Sequence, residues 1–179
     1  LYIVIPCYNE EEVIEETVRR LTEKIDNMIA AGQVAKNSRF LLVNDGSKDR
    51  TWEIICRLCE DNPYVSGISL AHNRGHQNAL LAGLMTAREY ADIVISMDAD
   101  LQDDIHAVDR FVDEYKKGAD IVYGVRSSRK KDSFFKKYTA LAFYRLMAAM
   151  GVETVYNHAD YRLMTKRALD ELAKFKEVN

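Results

Sequence analysis

The stretch Asp92-Ile93-Val94-Ile95-Ser96-Met97-Asp98-Ala99-Asp100-Leu101-Gln102-Asp103-Asp104 decides how this chain is read. Ile93 to Met97 is a short, almost unbroken apolar run, the pattern of a strand buried on both faces of a parallel sheet. Open α/β sheets bind ligands beyond the carboxyl ends of their strands. Asp98 and Asp100 are therefore predicted to stand where a ligand lies. Two carboxylates spaced i, i+2 at the end of a buried strand repel each other unless a cation joins them, and Gln102 adds an amide oxygen nearby. Hard oxygen donors of this kind suit Mg²⁺ or Mn²⁺. Asp103 and Asp104 are read as caps of the next helix, not as metal ligands.

Working outward, four more strands are predicted: Leu1 to Ile5, stopped by Pro6, then Phe40 to Asn44, Val65 to Leu70 and Asp120 to Gly124. Between them the apolar spacing predicts helices over Glu10 to Ala31, Asp49 to Glu60, Gly75 to Tyr90 and Ile105 to Lys117. Alternating strands and helices give an α/β class with a Rossmann-like, mostly parallel sheet. Right-handed crossovers then place helices on both of its faces. From about Val125 the pattern changes to a basic loop, an amphipathic helix (Phe134 to Met150), a polar stretch and a last helix (Thr165 to Phe175).

The chain has 179 residues, 47% of them hydrophobic, enough for one domain with a sizeable core. A net charge of −3 supplies no global attraction to nucleic acid. Three cysteines, an odd number in a chain without disulfide-rich character, favour a reducing compartment. Cys56 and Cys59 have a C-x-x-C spacing but no second pair, so they are read as packing beside Trp52 and Ile55, not as zinc ligands. No apolar stretch reaches the ~18 residues of a membrane span, and no signal peptide is visible. The chain starts at Leu1 inside an apolar run, which points to a piece of a longer protein with room for a membrane segment outside it.

The loops expected after the first four strands are Pro6-Cys7-Tyr8-Asn9-Glu10, Asp45-Gly46-Ser47-Lys48-Asp49, His72-Asn73-Arg74-Gly75-His76 and Asp98-Ala99-Asp100-Leu101-Gln102. All are polar, and the topology gathers them at one edge of the sheet. Taken singly, Asn9 and Glu10 could cap a helix, Asp45-Gly46 could be only a turn, and Arg74 could be a surface cation. Their convergence carries more weight than any one motif.

As a set, these segments resemble the family 2 glycosyltransferases of GT-A fold. Val4-Ile5-Pro6-Cys7-Tyr8-Asn9-Glu10, Val43 to Asp49, Gly75-His76-Gln77 through Ala82-Gly83-Leu84, Met97 to Asp103, Val122 to Arg126 and Asp160 to Met164 follow the family's order across nearly the whole chain. The closer likeness is to the branch that moves a sugar from a nucleotide onto a polyprenyl phosphate, the dolichyl-phosphate mannosyltransferase and bactoprenol glucosyltransferase type. The resemblance implies one catalytic domain, with residues 1–125 holding nucleotide sugar and metal and 126–179 on the acceptor side. It implies that Pro6, Tyr8, Asn9, Glu10, Asp45, Arg74, Asp98 and Ala99 line the nucleotide-sugar site, Asp45 at the base and Glu10 near the ribose. It makes Asp100 the principal metal ligand, with Asp98 and Gln102 beside it. Arg126, Arg129, Lys136 and Lys137 would face acceptor phosphate. Two departures stand out. The family often has Arg where this chain has His72, with Arg74 following, and the usual Pro after Leu-Gln-Asp is replaced by Asp104.

The chemistry expected is a single displacement that inverts the sugar, with Asp100, Asp160 and Arg162 as the catalytic candidates. A cation at Asp100, aided by Arg162, would steady the departing diphosphate. A hydroxyl acceptor needs a base, whereas a phosphate monoester is already anionic at neutral pH. The Glu-Asp pair and Arg-Trp motif of polysaccharide-extending relatives are missing from Asn157 to Arg162. That favours a phosphate acceptor, with Asp160 as a fallback base. Basic residues Arg126 to Lys137 precede an apolar stripe from Phe134 to Met150. The stripe is read as a helix lying on the cytoplasmic face of a membrane, or as one packed on the core. The donor is expected to be UDP-glucose, with a GDP-mannose type as the other option. A homo-oligomer stays open. Rival readings are a hydroxyl-acceptor glycosyltransferase, a haloacid dehalogenase-type phosphohydrolase, a nucleotide-sugar pyrophosphorylase and a silent nucleotide-binding regulator.

Overall fold

The computed structural model describes residues 1–125 and 158–174, the side chains of 125 and 158–160 excepted. Its elements run β1 (Tyr2–Cys7), α1 (Ile14–Ala30), β2 (Arg39–Asn44), α2 (Thr51–Asp61), β3 (Val65–Ser69), α3 (His76–Arg88), β4 (Ile93–Ser96), α4 (Ala107–Lys116), β5 (Ile121–Val125), β6 (His158–Thr165) and α5 (Lys166–Leu172). The strands form one sheet in the order β3-β2-β1-β4-β6-β5. β1, β2, β3 and β4 are parallel, and β6 runs antiparallel to β4. Two compact units result, Leu1–Val122 with Asp160–Asn179, and Tyr123–Ala159.

Alternation along each strand sorts side chains to two faces. Val4, Leu41, Val43 and Val94 pack with Ala79, Leu80, Leu84 and Ala87 of α3 and with Met164 and Leu169. The opposite face carries Ile3, Ile5, Phe40, Leu42 and Ile95, all fully buried. There Gly67 approaches Ile55 and Trp52 of α2, and Tyr161 of β6 meets the Phe111 ring of α4 at 4.7 Å. All four β4 residues are buried, as a strand covered on both faces requires.

Three expectations need correction. Pro6 does not end β1, which continues to Cys7, with Pro6 in register with Val43. Neighbouring peptide groups point alternately left and right in a strand. The Val4 carbonyl meets β4 through Met97 N–H, and the Cys7 carbonyl meets β2 through Asp45 N–H. The Pro6 nitrogen therefore faces β4, beyond the last β1–β4 pair at Val4 and Ser96, where no ladder donor is called for. The polar stretch before the last helix contains a strand, β6, which takes the place between β4 and β5. Cys56 is exposed and does not pack; Cys59 alone lies with Ile55 and Trp52 over Gly67. The amphipathic helix expected over 134–150 lies outside the described residues. Among the described residues, no helix is long and apolar enough to cross a membrane.

Candidate active site

Strand order reverses between β1 and β4, the switch point at which open α/β sheets leave a crevice. A cavity of about 450 Å³ opens there, and all four expected loops reach it. Pro6, Cys7, Tyr8 and Glu10 come from the loop after β1 and Asp45 from the one after β2. Asn73, Gly75 and His76 precede or begin α3, and Asp98, Ala99 and Asp100 follow β4.

The loops are bound to one another by side chains that replace missing backbone partners. Asn9, at φ +57°, accepts the Lys48 N–H at 2.9 Å, and its own N–H donates to the Ser47 hydroxyl. The Glu10 N–H donates to the Thr51 hydroxyl at 2.8 Å. Asp45 accepts from the Arg74 N–H at 2.6 Å and the Gly75 N–H at 2.9 Å. These bonds fix the β3–α3 loop against the β2 turn, so Asp45 acts first as a backbone staple within the cavity wall. The Cys7 thiol is buried, which pushes its pKa far above the ordinary value and leaves it inert.

After β4 the chain folds back on itself. Leu101 sits at φ +58°, the Gln102 N–H donates to Asp100 Oδ1 at 3.0 Å, and the Asp98 N–H donates to Asp103 Oδ2. Asp103 is buried and turned toward Asp98, so the expectation that it caps α4 does not hold. Asp104 does not cap it either: it accepts the His106 N–H at 3.0 Å in the turn ahead of α4, and the helix start receives no side-chain cap. The result is a concentration of negative charge. Burial, then the charges of Asp100, Asp49 and Asp98, push the Glu10 carboxyl above the usual carboxylate range. His76 Nε2 lies 3.8 Å from Asp98 Oδ1. Among the described residues, no three acidic, His or Cys side chains converge into a closed metal cage. Two carboxylates at an open crevice instead suit a divalent cation that takes its other ligands from water and phosphate oxygens.

Residues 2–173 match the family model described as Glycosyl transferase family 2. The chain belongs to this family. Among family 2 relatives, the uncharacterized glycosyltransferase YkoT of Bacillus subtilis is 55% identical over 179 residues, all of this chain and 53% of its own length. The bactoprenol glucosyl transferase of Shigella phage SfX is 34% identical over 181 residues, 99% of this chain and 56% of its own. This family 2 chain thus spans about half the length of the curated relatives it matches. The solved mannosyltransferase PcManGT of Pyrobaculum calidifontis, in complex with GDP-Man and Mn2+, superposes with a TM-score of 0.63 at 20% identity. The match covers 97% of this chain and 46% of that one, and the shared architecture is the GT-A fold.

Within the family 2 domain, Pro6, Tyr8, Glu10, Asp45, Asp98, Ala99 and Asp100 are brought to one cavity. Asn9 and Gln102 are exposed at its margin. Arg74 is exposed too, and its backbone is the part bound to Asp45. Arg162 pairs with Ser96 at the loop-bearing end of β4, on the α3 side of the sheet shared with Met164. Its Nε is buried and has no hydrogen-bond partner among the described residues. Arg126, Arg129, Lys136, Lys137 and the side chain of Asp160 lie outside the described residues. Thr17, Asn73 and Asp103 were not singled out as site residues from sequence. For Thr17 the signal was available: it is the one polar residue on the buried stripe Ile14, Thr17, Val18, Leu21, Ile25 and Met28.

Proposed function

We propose that this domain transfers a hexose from a nucleoside diphosphate sugar to a polyprenyl phosphate, with inversion at the sugar carbon. The observation that carries the reading is the gathering of Glu10, Asp98 and Asp100 in one crevice at the switch point, where burial and then the neighbouring carboxylates push the Glu10 pKa above the usual carboxylate range. Pro6, Tyr8 and Glu10 receive the nucleoside end of the donor, and Asp98 and Asp100, with Gln102, hold Mg²⁺ or Mn²⁺. When bound, that cation supplies Lewis-acid stabilisation of the departing diphosphate. Arg162 brings a fixed positive charge whose buried Nε gains an acceptor when an anion is present.

A phosphate acceptor is anionic before it attacks, so positioning takes the place of a base. Three features support this acceptor: the missing Glu-Asp pair, the basic run from Arg126 to Lys137, and a relative named for a bactoprenol substrate. Such a lipid places the reaction at a membrane surface. The same relative's name favours a glucosyl donor, and UDP-glucose is the reading preferred over GDP-mannose. Calorimetry with a panel of nucleoside diphosphates, with and without Mn²⁺, tests it. One diphosphate binds in a metal-dependent way, and Asp100→Ala abolishes that binding; equal binding by the variant overturns the metal role.

A further inference from the structure

We infer that Thr17, remote in sequence from the crevice, is a positioning residue for the Asp98–Asp100 pair. The inference rests on the transferase reading for its consequence but not for its geometry. Thr17 stands on α1 and is fully buried. Its hydroxyl lies 2.7 Å from the Ala99 carbonyl and 3.0 Å from that of Val13. A hydroxyl has one proton to give. The Val13 carbonyl already accepts the Thr17 N–H within the helix. Ala99 is itself buried and receives the shorter bond, so the proton goes there.

Ala99 is the residue between the two aspartates. The bond ties its carbonyl to α1 and so sets the direction of the peptide that joins Ala99 to Asp100. Within the loop, the Asp98 N–H donates to Asp103 and the Gln102 N–H to Asp100, and at its far end the Tyr161 hydroxyl donates to the Asp104 carbonyl at 3.0 Å. The first two fix its shape, the third holds its Asp104 end to β6, and the Thr17 bond holds the segment between the two aspartates to α1. Left-handed Leu101 opposes that shape, since a side chain at φ +58° crowds its own carbonyl. Two like charges held side by side oppose it as well. A buried donor on a helix that packs against the sheet offsets both, because breaking the bond leaves two buried polar groups unpaired.

The test compares Thr17→Val, close in shape and without the donor, with Thr17→Ser, which keeps it, in the intact protein. The first readout is hydrogen exchange at the Asp98 and Gln102 amides without metal. The second is the affinity for Mn²⁺ with UDP and for Mn²⁺ with GDP. Thr17→Val is expected to exchange at least tenfold faster at those amides and to bind about tenfold more weakly, while Thr17→Ser stays near the unmutated protein. Wild-type behaviour of Thr17→Val in both readouts overturns the inference, and so does Thr17→Ser behaving like Thr17→Val. Should the valine variant fail to fold, Thr17→Ala takes its place under the same criteria. If the unmutated protein binds neither Mn²⁺-nucleotide pair, the transferase reading fails, while the exchange comparison still decides the role of Thr17.

Discussion

Replacing Gly46 with alanine tests whether the turn after β2 and the loop before α3 are one packed unit. Gly46 has φ +63°, and an added Cβ would lie 2.5 Å from the Asn73 nitrogen and 2.6 Å from the His72 carbonyl carbon. These are backbone atoms, so no side-chain rotation relieves the clash. The left-handed conformation alone costs an alanine about 1–2 kcal/mol. Reaching ordinary contact distance needs a shift of roughly 1 Å. That shift stretches the bonds from Arg74 and Gly75 N–H to Asp45, and losing one bond to a charged acceptor costs about 1.5–3 kcal/mol. The expected total is about 3–5 kcal/mol. Gly32 provides the control, with φ +68° and nothing within 4 Å of an added Cβ. Its alanine variant pays only the conformational cost of about 1–2 kcal/mol. Urea unfolding of both variants, extrapolated to water, measures the difference. Two values within about 0.5 kcal/mol of each other would refute the close approach and the stapling role given to Asp45.

Glu10 is held above its ordinary pKa, so the folded state binds its proton more tightly than the unfolded chain does. The ionised group then costs stability above its folded pKa, and this cost disappears as the pH falls through the window down to its ordinary value. Glu10→Gln is expected to raise the melting temperature of the metal-free protein at pH 7, with a gain that shrinks toward about pH 4.3; a gain independent of pH counts against the charge crowding. Arg162→Met removes a buried nitrogen with no partner among the described residues, so the metal-free protein is expected to gain up to about 1–3 kcal/mol in urea unfolding while transfer activity falls. Lower stability with unchanged turnover contradicts that assignment. Charge reversal at Lys136 and Lys137 is expected to weaken binding to anionic liposomes at least about tenfold, since each cation near such a surface contributes about 1 kcal/mol; unchanged sedimentation with the liposomes excludes the interfacial reading.

Local pattern alone carried much of this protein. The apolar runs at Ile3 to Ile5, Phe40 to Val43 and Ile93 to Met97, alternating with amphipathic helices, specify a parallel α/β sheet, because only burial on both faces suits such runs. The polar loops after them, and the pair Asp98 and Asp100, then had one edge to occupy. What sequence did not disclose were relations between residues far apart in the chain. β6 mixes polar and apolar residues with no clear strand alternation and becomes a strand through pairing with β4 across the sheet. Pro6 stays within β1 because its neighbour strand has ended, a matter of register. Asp103 turns back to Asp98, Asp45 grips Arg74 and Gly75, and Thr17 reaches Ala99 because folding brings those backbone groups within bonding distance away from water. A periodic pattern determines which face of an element is buried; which buried donor meets which acceptor is decided only when the elements pack.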